Sequence, residues 1–261
     1  MSALMGLWLP RQMTMTAFTE AASFGDITGD RFIIAGADEA ADILASALNV
    51  HGVPTARLMQ GSYTALVNLH VGQADAAVIN LFDQATNSWN TPYVRNLAPG
   101  SSVVTIRLFG RKQGLIVQER NPKRLTTWGS LLREGVRLSN RTKGSGSRVL
   151  LDEKLRALDA RSEMIEGYSS QAYVGTTAIR RVSNGLADVA VGHEREAPHV
   201  PGVQFVPLQQ EWVDIVIRKT PKTRTTIRTI NDLLVNNNVR REFAALAPCD
   251  VSKLGVVVYE S

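Results

Sequence analysis

NRTKGSGSRVLLD, residues Asn140–Asp152, joins a strand to a helix. Before it, Val136-Arg137-Leu138-Ser139 reads as a buried strand. Gly144-Ser145-Gly146-Ser147 makes a tight turn rich in amides and hydroxyls. After it, Leu151, Leu155 and Leu158 recur at spacings of four and three, the apolar face of a helix. The turn therefore carries the unpaired amides and positive dipole end of a helix to the tip of a strand. Glycines let the backbone approach a guest, and Arg141, Lys143 and Arg148 add positive charge. That combination makes an anion site. The competing reading is an ordinary turn in which Ser147 caps the helix.

Outward from this stretch, the same grammar recurs. Arg31–Ala37, Pro54–Gln60 and Asp75–Asn80 read as strands, with helices over Asp38–Val50 and from Gly61-Ser62-Tyr63-Thr64 to Val71. This β-α-β-α-β order with short connections predicts a parallel sheet covered by helices. GSYTALVNLHVGQADAAV (61–78) and GTTAIRRVSNGLADVAV (175–191) both give glycine, hydroxyls, helix, Gly-x-Ala-Asp and strand. Two copies of one unit predict two similar lobes. Ser101–Gln118 reads as two strands broken at Gly110–Gly114. Val203–Pro207 reads as another strand and Trp212–Arg218 as the return crossing between lobes, with a two-strand hinge near Gln113 and Trp212. Leu81–Gly100 is irregular, Thr126–Glu134 a short helix, and Thr225–Asn236 and Asn238–Ala247 closing helices. Asp250–Val258 is a tail on the first lobe.

Composition sets outer bounds. The 261 residues are 44% hydrophobic and 20% charged, the balance of a globular protein with a sizeable core. The net charge of +5 is spread along the chain, so direct nucleic-acid binding is not indicated, even through the KTPKTRTTIR run (219–228). One cysteine, Cys249, precludes an intramolecular disulfide. Four histidines without ligand-like spacing give no metal site, and no Ser-His-Asp order or paired carboxylates give no catalytic set; no cofactor is expected. Met5–Leu9 is apolar but short and has no basic residue before it, so residues 1–30 read as a leader or arm and the chain as cytoplasmic, without a membrane span.

GLIVQERNP (114–122), NRTKGSGSRVLLD, GLADVAVGHE (185–194) and FAALAPCDVSKLGVV (243–257) resemble the periplasmic-binding-protein-like domain of cytoplasmic bacterial regulators and molybdopterin-biosynthesis proteins. That domain is similar in turn to molybdate- and tungstate-binding transport proteins. The resemblance covers roughly residues 31–258. It implies a bilobal α/β fold of type II, two parallel or mixed sheets flanked by helices, with lobe 1 at 31–112 plus 213–261 and lobe 2 at 113–212. It also implies a non-enzymatic sensor that closes on an anionic ligand, foremost molybdate or tungstate, and reports to a DNA-binding partner chain or through a homodimer to transcription. Asn80 stands where the family carries a histidine, and Val174-Gly175 where it carries Thr-His.

Guests of such folds sit beyond the carboxyl ends of the strands. The candidate ligand-binding residues are Ser62, Tyr63 and Asn80 from the first lobe. From the second they are Arg141, Gly144, Ser145, Gly146, Ser147, Arg148, Thr176 and His193. Ser62 and Thr176 are equally well placed to cap helices, and Asp38 reads as a cap. The alternative function is an enzyme or binding protein acting on a molybdopterin-like or phosphorylated small molecule, with Asp83, His193 and Glu194 as loose catalytic candidates.

Overall fold

Alternation of apolar side chains sets the first layer. In β1 (Phe32–Ala35), Phe32 and Ile34 enter one buried cluster while Ile33 and Ala35 enter another, so both faces of the strand are covered. The computed structural model describes residues 29–261, and the leader expected over residues 1–30 lies almost wholly outside them. Helix α1 (Glu39–Val50) follows, then β2 (Thr55–Leu58), α2 (Ser62–His70) and β3 (Ala76–Ile79). β1 pairs in parallel with both β2 and β3.

The stretch left irregular in the sequence folds into a two-stranded pair, β4 (Phe82–Asp83) with β5 (Ser88–Trp89), and a helix, α3 (Thr91–Leu97). The interruption expected at Gly110–Gly114 is absent, and Val203–Pro207 and Trp212–Arg218 belong to one strand. β6 (Val103–Gln118) and β10 (Val203–Arg218) are continuous 16-residue strands, paired antiparallel along their length. Gly110 and Gly114 are not breakers. A Cβ on Gly110 would stand 2.7 Å from the Trp212 ring, so close approach of the two strands demands glycine there.

The second unit comprises β7 (Leu138–Arg141), α4 (Gly146–Ala157), β8 (Gln171–Ala172), α5 (Gly175–Ser183) and β9 (Val189–His193). Trp128–Leu132 is a 3-10 turn rather than an α-helix. Helices α6 (Arg224–Val235) and α7 (Asn237–Ala245) join α1 over the first unit's core. β11 (Val257–Glu260) ends the chain antiparallel to β6 at Val104–Ile106, so the tail packs on the first lobe as expected.

Strand order runs β2-β1-β3-β10-β6-β9-β7-β8, so the two half-sheets of a bilobal α/β fold are joined through the long strands β10 and β6. Read from either end toward the middle, the order repeats, with β2-β1-β3-β10 matched by β8-β7-β9-β6. The duplicated grammar is therefore a duplicated topology. Its Gly-x-Ala-Asp motif has the same structural task in both copies. Gly72 and Gly185 take φ of +83° and +72° and close their helices. Asp75 Oδ2 then accepts the Ile33 amide at 2.9 Å, and Asp188 Oδ2 accepts the Arg137 amide at 2.8 Å. Each carboxylate clamps the start of the neighbouring parallel strand.

Candidate functional site

Parallel pairing in each lobe points the carboxyl ends of the strands, and the N-termini of the helices that follow, toward the junction of the lobes. A cleft of about 630 Å3 opens there. Its walls include Asp38 and Glu39 at the head of α1, and Gly61 and Ser62 at α2. The second lobe adds Ser145, Gly146 and Ser147 at α4, and Gly175 and Thr176 at α5. Four helix N-termini share one space.

Their amides are not equally available. Asp38 caps α1, its Oδ1 accepting the Ala40 amide at 3.0 Å. The Tyr63 amide in α2 donates across the lobes to Gly144 O at 2.9 Å. α4 and α5 have no side-chain cap. Ser145, not Ser147, is the cap residue of α4, and its hydroxyl donates to Thr142 O at 3.0 Å instead of accepting a first-turn amide. The first amides of α4 and α5 therefore carry their dipole charge into the cleft. Ser62 and Thr176 are not caps either: Gly61 and Val174 hold those positions, and Ser62 Oγ donates to Asn80 Oδ1 at 2.5 Å.

Below this ring lies a buried polar knot. Glu211, with no exposure, takes the Arg111 guanidinium, the Asn80 amide at 2.7 Å and the Gln113 amide at 3.0 Å. Gln113 also donates to Ser147 Oγ at 3.0 Å. Arg111 reaches Asp38 at 2.9 Å as well. Burial alone would lower the Arg111 pKa, but Asp38 and Glu211 hold it above its ordinary value, so the guanidinium stays charged. The knot joins both lobes to the two long strands.

Two further groups line the second-lobe wall. Glu196 accepts the His193 amide at 3.0 Å and faces Arg141 at 3.6 Å. Burial raises the Glu196 carboxyl above its ordinary range, against the pull of Arg141. Burial, then Arg111, Arg195 and Arg141, push His193 well below its usual value, so it is neutral near pH 7. Arg195 is paired with Glu39 at 2.7 Å. Arg141 is the cation with the loosest partner: its Nη1 stands beside Gly175, and its Nε is buried without a hydrogen bond.

Of the eleven residues singled out from sequence, Ser62, Asn80, Arg141, Ser145, Gly146, Ser147, Thr176 and His193 line the cleft. Tyr63, Gly144 and Arg148 do not. Tyr63 and Gly144 form the backbone latch just described. Arg148 turns back beneath α4, where its Nε donates to Asp152 at 2.8 Å, Nη1 to Arg141 O at 3.1 Å, and its guanidinium lies 4.2 Å from the Tyr168 ring centroid. One helical turn separates it from the tip, which aims it at the core. Arg111, Arg195 and Glu196 were missed. Arg111 sits in a strand whose continuity the glycines concealed, and the Glu194-Arg195-Glu196 run reads as a solvated loop. Asp83 and Glu194 are not among the residues lining the cleft. Among the described residues no His, Cys, Asp and Glu cluster could hold a metal ion, and no helix is long and apolar enough to cross a membrane.

Comparisons with known proteins agree with this architecture. The chain is 33% identical over 230 residues to the uncharacterized protein YvgK of Bacillus subtilis (strain 168), covering 88% of this chain and 74% of that one. An ancestral amino acid-binding protein, AncCDT-1, a precursor of cyclohexadienyl dehydratase, superimposes with a TM-score of 0.57 at 14% identity, covering 86% of this chain and 97% of that one. An ABC-type phosphate transport receptor from Vibrio cholerae does so with a TM-score of 0.57 at 14% identity, over 83% and 98%. These neighbours are bilobal, and their likeness carries the fold. The PBP superfamily domain profile matches residues 45–235, and with it the chain belongs to that family of periplasmic-binding-protein-like proteins.

Proposed function

We propose that this protein binds a small anionic ligand between its lobes and reports its presence without transforming it. The observation that carries the reading is the pair of uncapped helix tips, α4 and α5, aimed into one cleft beside Arg141. Aligned amides hold oxyanions and carboxylates by directed hydrogen bonds and dipole charge, without full neutralisation. Binding rather than turnover is supported by the occupied state of the cleft's carboxylates. Asp38 is held by Arg111, Glu39 by Arg195, and Glu196 by Arg141 and the His193 amide. The lobes divide at 31–112 plus 213–261 and 113–212, with the hinge in β6 and β10 near Gln113 and Trp212.

Phosphate, sulfate, molybdate and tungstate are the simplest ligands of this chemistry, and a phosphate receptor stands among the structural neighbours. A DNA-binding partner chain or a homodimer would carry the output to transcription in the cytoplasm. The reading is tested by a thermal-shift screen of these four anions with small carboxylates and phosphate esters. A binder at a hundred times its Kd adds about 2.7 kcal/mol, a rise of several degrees. Arg141→Ala should remove most of that rise. A flat screen, or an anion response that survives Arg141→Ala unchanged, would reject the site.

A further inference from the structure

The cleft is far larger than an inorganic anion requires. Its volume is about 630 Å3, whereas a four-oxygen ion occupies on the order of 100 Å3, taking roughly 30 Å3 for each water-sized oxygen. Pockets of several hundred Å3 are those of organic ligands. Charge narrows the class further. Arg111 and Arg195 are committed to carboxylates, at 2.9 Å and 2.7 Å, and Arg141 is held only loosely by Glu196 at 3.6 Å, which makes Arg141 the cation to meet a single anionic head. That head sits near the start of α5, where Arg141 Nη1 stands 2.8 Å from the place a Cβ on Gly175 would occupy and Glu196 Oε1 stands closer still, so it competes with Glu196 for the guanidinium.

The rest of the lining is not polar throughout. Met59, Tyr173 and Val174 line the cleft yet are 65%, 85% and 58% exposed. They come from equivalent linkers in the two lobes: Met59 leads from β2 to α2, and Tyr173-Val174 lead from β8 to α5. Single exposed apolar residues are ordinary, but three around the mouth of one cleft, from both lobes, are a surface waiting for apolar contact. Met59 is also held in place, since Arg57 Nη2 lies 3.3 Å from its sulfur and 2.6 Å from Gly36 O. A methionine and a tyrosine are suited to the two faces of a flat ring.

We infer that the ligand is an organic anion with a flat apolar body. Its single anionic head lies at the α5 tip beside Arg141, and its ring is held between Met59 of one lobe and Tyr173-Val174 of the other. This rests on the anion site proposed above and names the class of molecule it takes.

The test is isothermal titration calorimetry of the full chain with two matched pairs, phenyl phosphate against phosphate and benzoate against acetate. At least one ring-bearing member should bind about tenfold or more tighter than its small counterpart, the effect of burying one apolar ring. Tyr173→Ala and Met59→Ala each replace an exposed side chain, so the fold persists, and they should cut that ratio to below about threefold. Ratios near one in the wild type overturn the inference, as does a large ratio that both rim variants leave unchanged; in either case phosphate or acetate binding that is lost in Arg141→Ala still upholds the anion site. Absence of heat with all four probes at millimolar concentration overturns the ring reading, and the wider thermal-shift screen then decides the anion site separately.

Discussion

Glu196 and His193 are neighbours on one wall, with Nε2 of the imidazole 3.7 Å from the carboxylate, and burial moves their pKa values in opposite directions. His193 is depressed from its ordinary 6.5, so the unfolded chain takes up that proton first. Its contribution to stability is present above pH 6.5 and drains as pH falls toward the folded value. Glu196 is raised from its ordinary 4.5, so its contribution is present below pH 4.5 and drains as pH rises through the folded value. Melting temperature measured between these limits should therefore respond in opposite senses to two neutral replacements. His193→Gln should flatten the loss on acidification, and Glu196→Gln should steepen the net dependence toward that of the histidine alone. Profiles parallel to the wild type for both variants would show that the wall does not titrate this way. Neither residue's state could be read from GHEREAP, because burial of the loop is set by packing against β6 and not by its own composition. Ser145, Gly146 and Ser147 were legible, because a Gly-Ser turn before a leucine-spaced helix leaves little choice of geometry.

At the level of elements, the repeated Gly-x-Ala-Asp units explain why two lobes of little overall identity share one plan. Each aspartate satisfies a strand amide that would otherwise be buried without an acceptor, so Asp75→Ala should cost about 1–3 kcal/mol in urea denaturation. Asp188→Ala should cost a similar amount. The Lys123 and Arg137 pairs it also loses are partly exposed and contribute little. A loss below half a kcal/mol at both positions would remove the clamp. Aligned on these motifs, the two helices start in register, Ser62 and Gly175 each thirteen residues before the aspartate, but the glycines are offset by one: Gly61 caps α2, whereas Gly175 is the first residue of α5. Matching glycine to glycine from sequence therefore misplaces the second tip by one position. The glycines answer different neighbours, Gly61 the Gly144 carbonyl and Gly175 the Glu196 carboxylate. Strands β1, β3, β7 and β9 and helices α1, α2, α4 and α5 were legible from period and caps. β4, β5 and α3 were not, since two-residue strands have no period and Asn87, Asn90 and Pro92 look like punctuation. There Asn90 is fully buried and tertiary, its Oδ1 accepting the Leu81 amide at 2.6 Å and its Nδ2 donating to Asp214 at 2.8 Å.

For the whole molecule, the contacts between the lobes include the Tyr63–Gly144 backbone bond, the Arg195–Glu39 ion pair, the bonds of Gln84 with Glu153 and Lys154, the Asn80–Gly146 contact, and an apolar cluster in which Leu150 of α4 touches Phe82 and Trp89. A Cβ on Gly146 would overlap the Asn80 amide. Gly146→Ala should hold the lobes apart, weakening anion binding by about tenfold or more, equivalent to about 1.4 kcal/mol. In small-angle scattering, the wild type should compact when a binding anion is added, and the variant should not. Equal compaction of the two would mean that this contact does not gate closure.

The pairing of β6 with β10 along their whole length has a mechanical consequence. A two-stranded ribbon resists sliding, because every rung must stretch together, but flexes across its thin dimension. The rungs are interrupted between Pro207 and Gln209 and between Val213 and Asp214, which brackets the knot around Glu211. Those interruptions thin the ribbon at two points, so a hinge there, like a clasp sprung on one strip, would turn whatever force a guest exerts at the mouth into one swing.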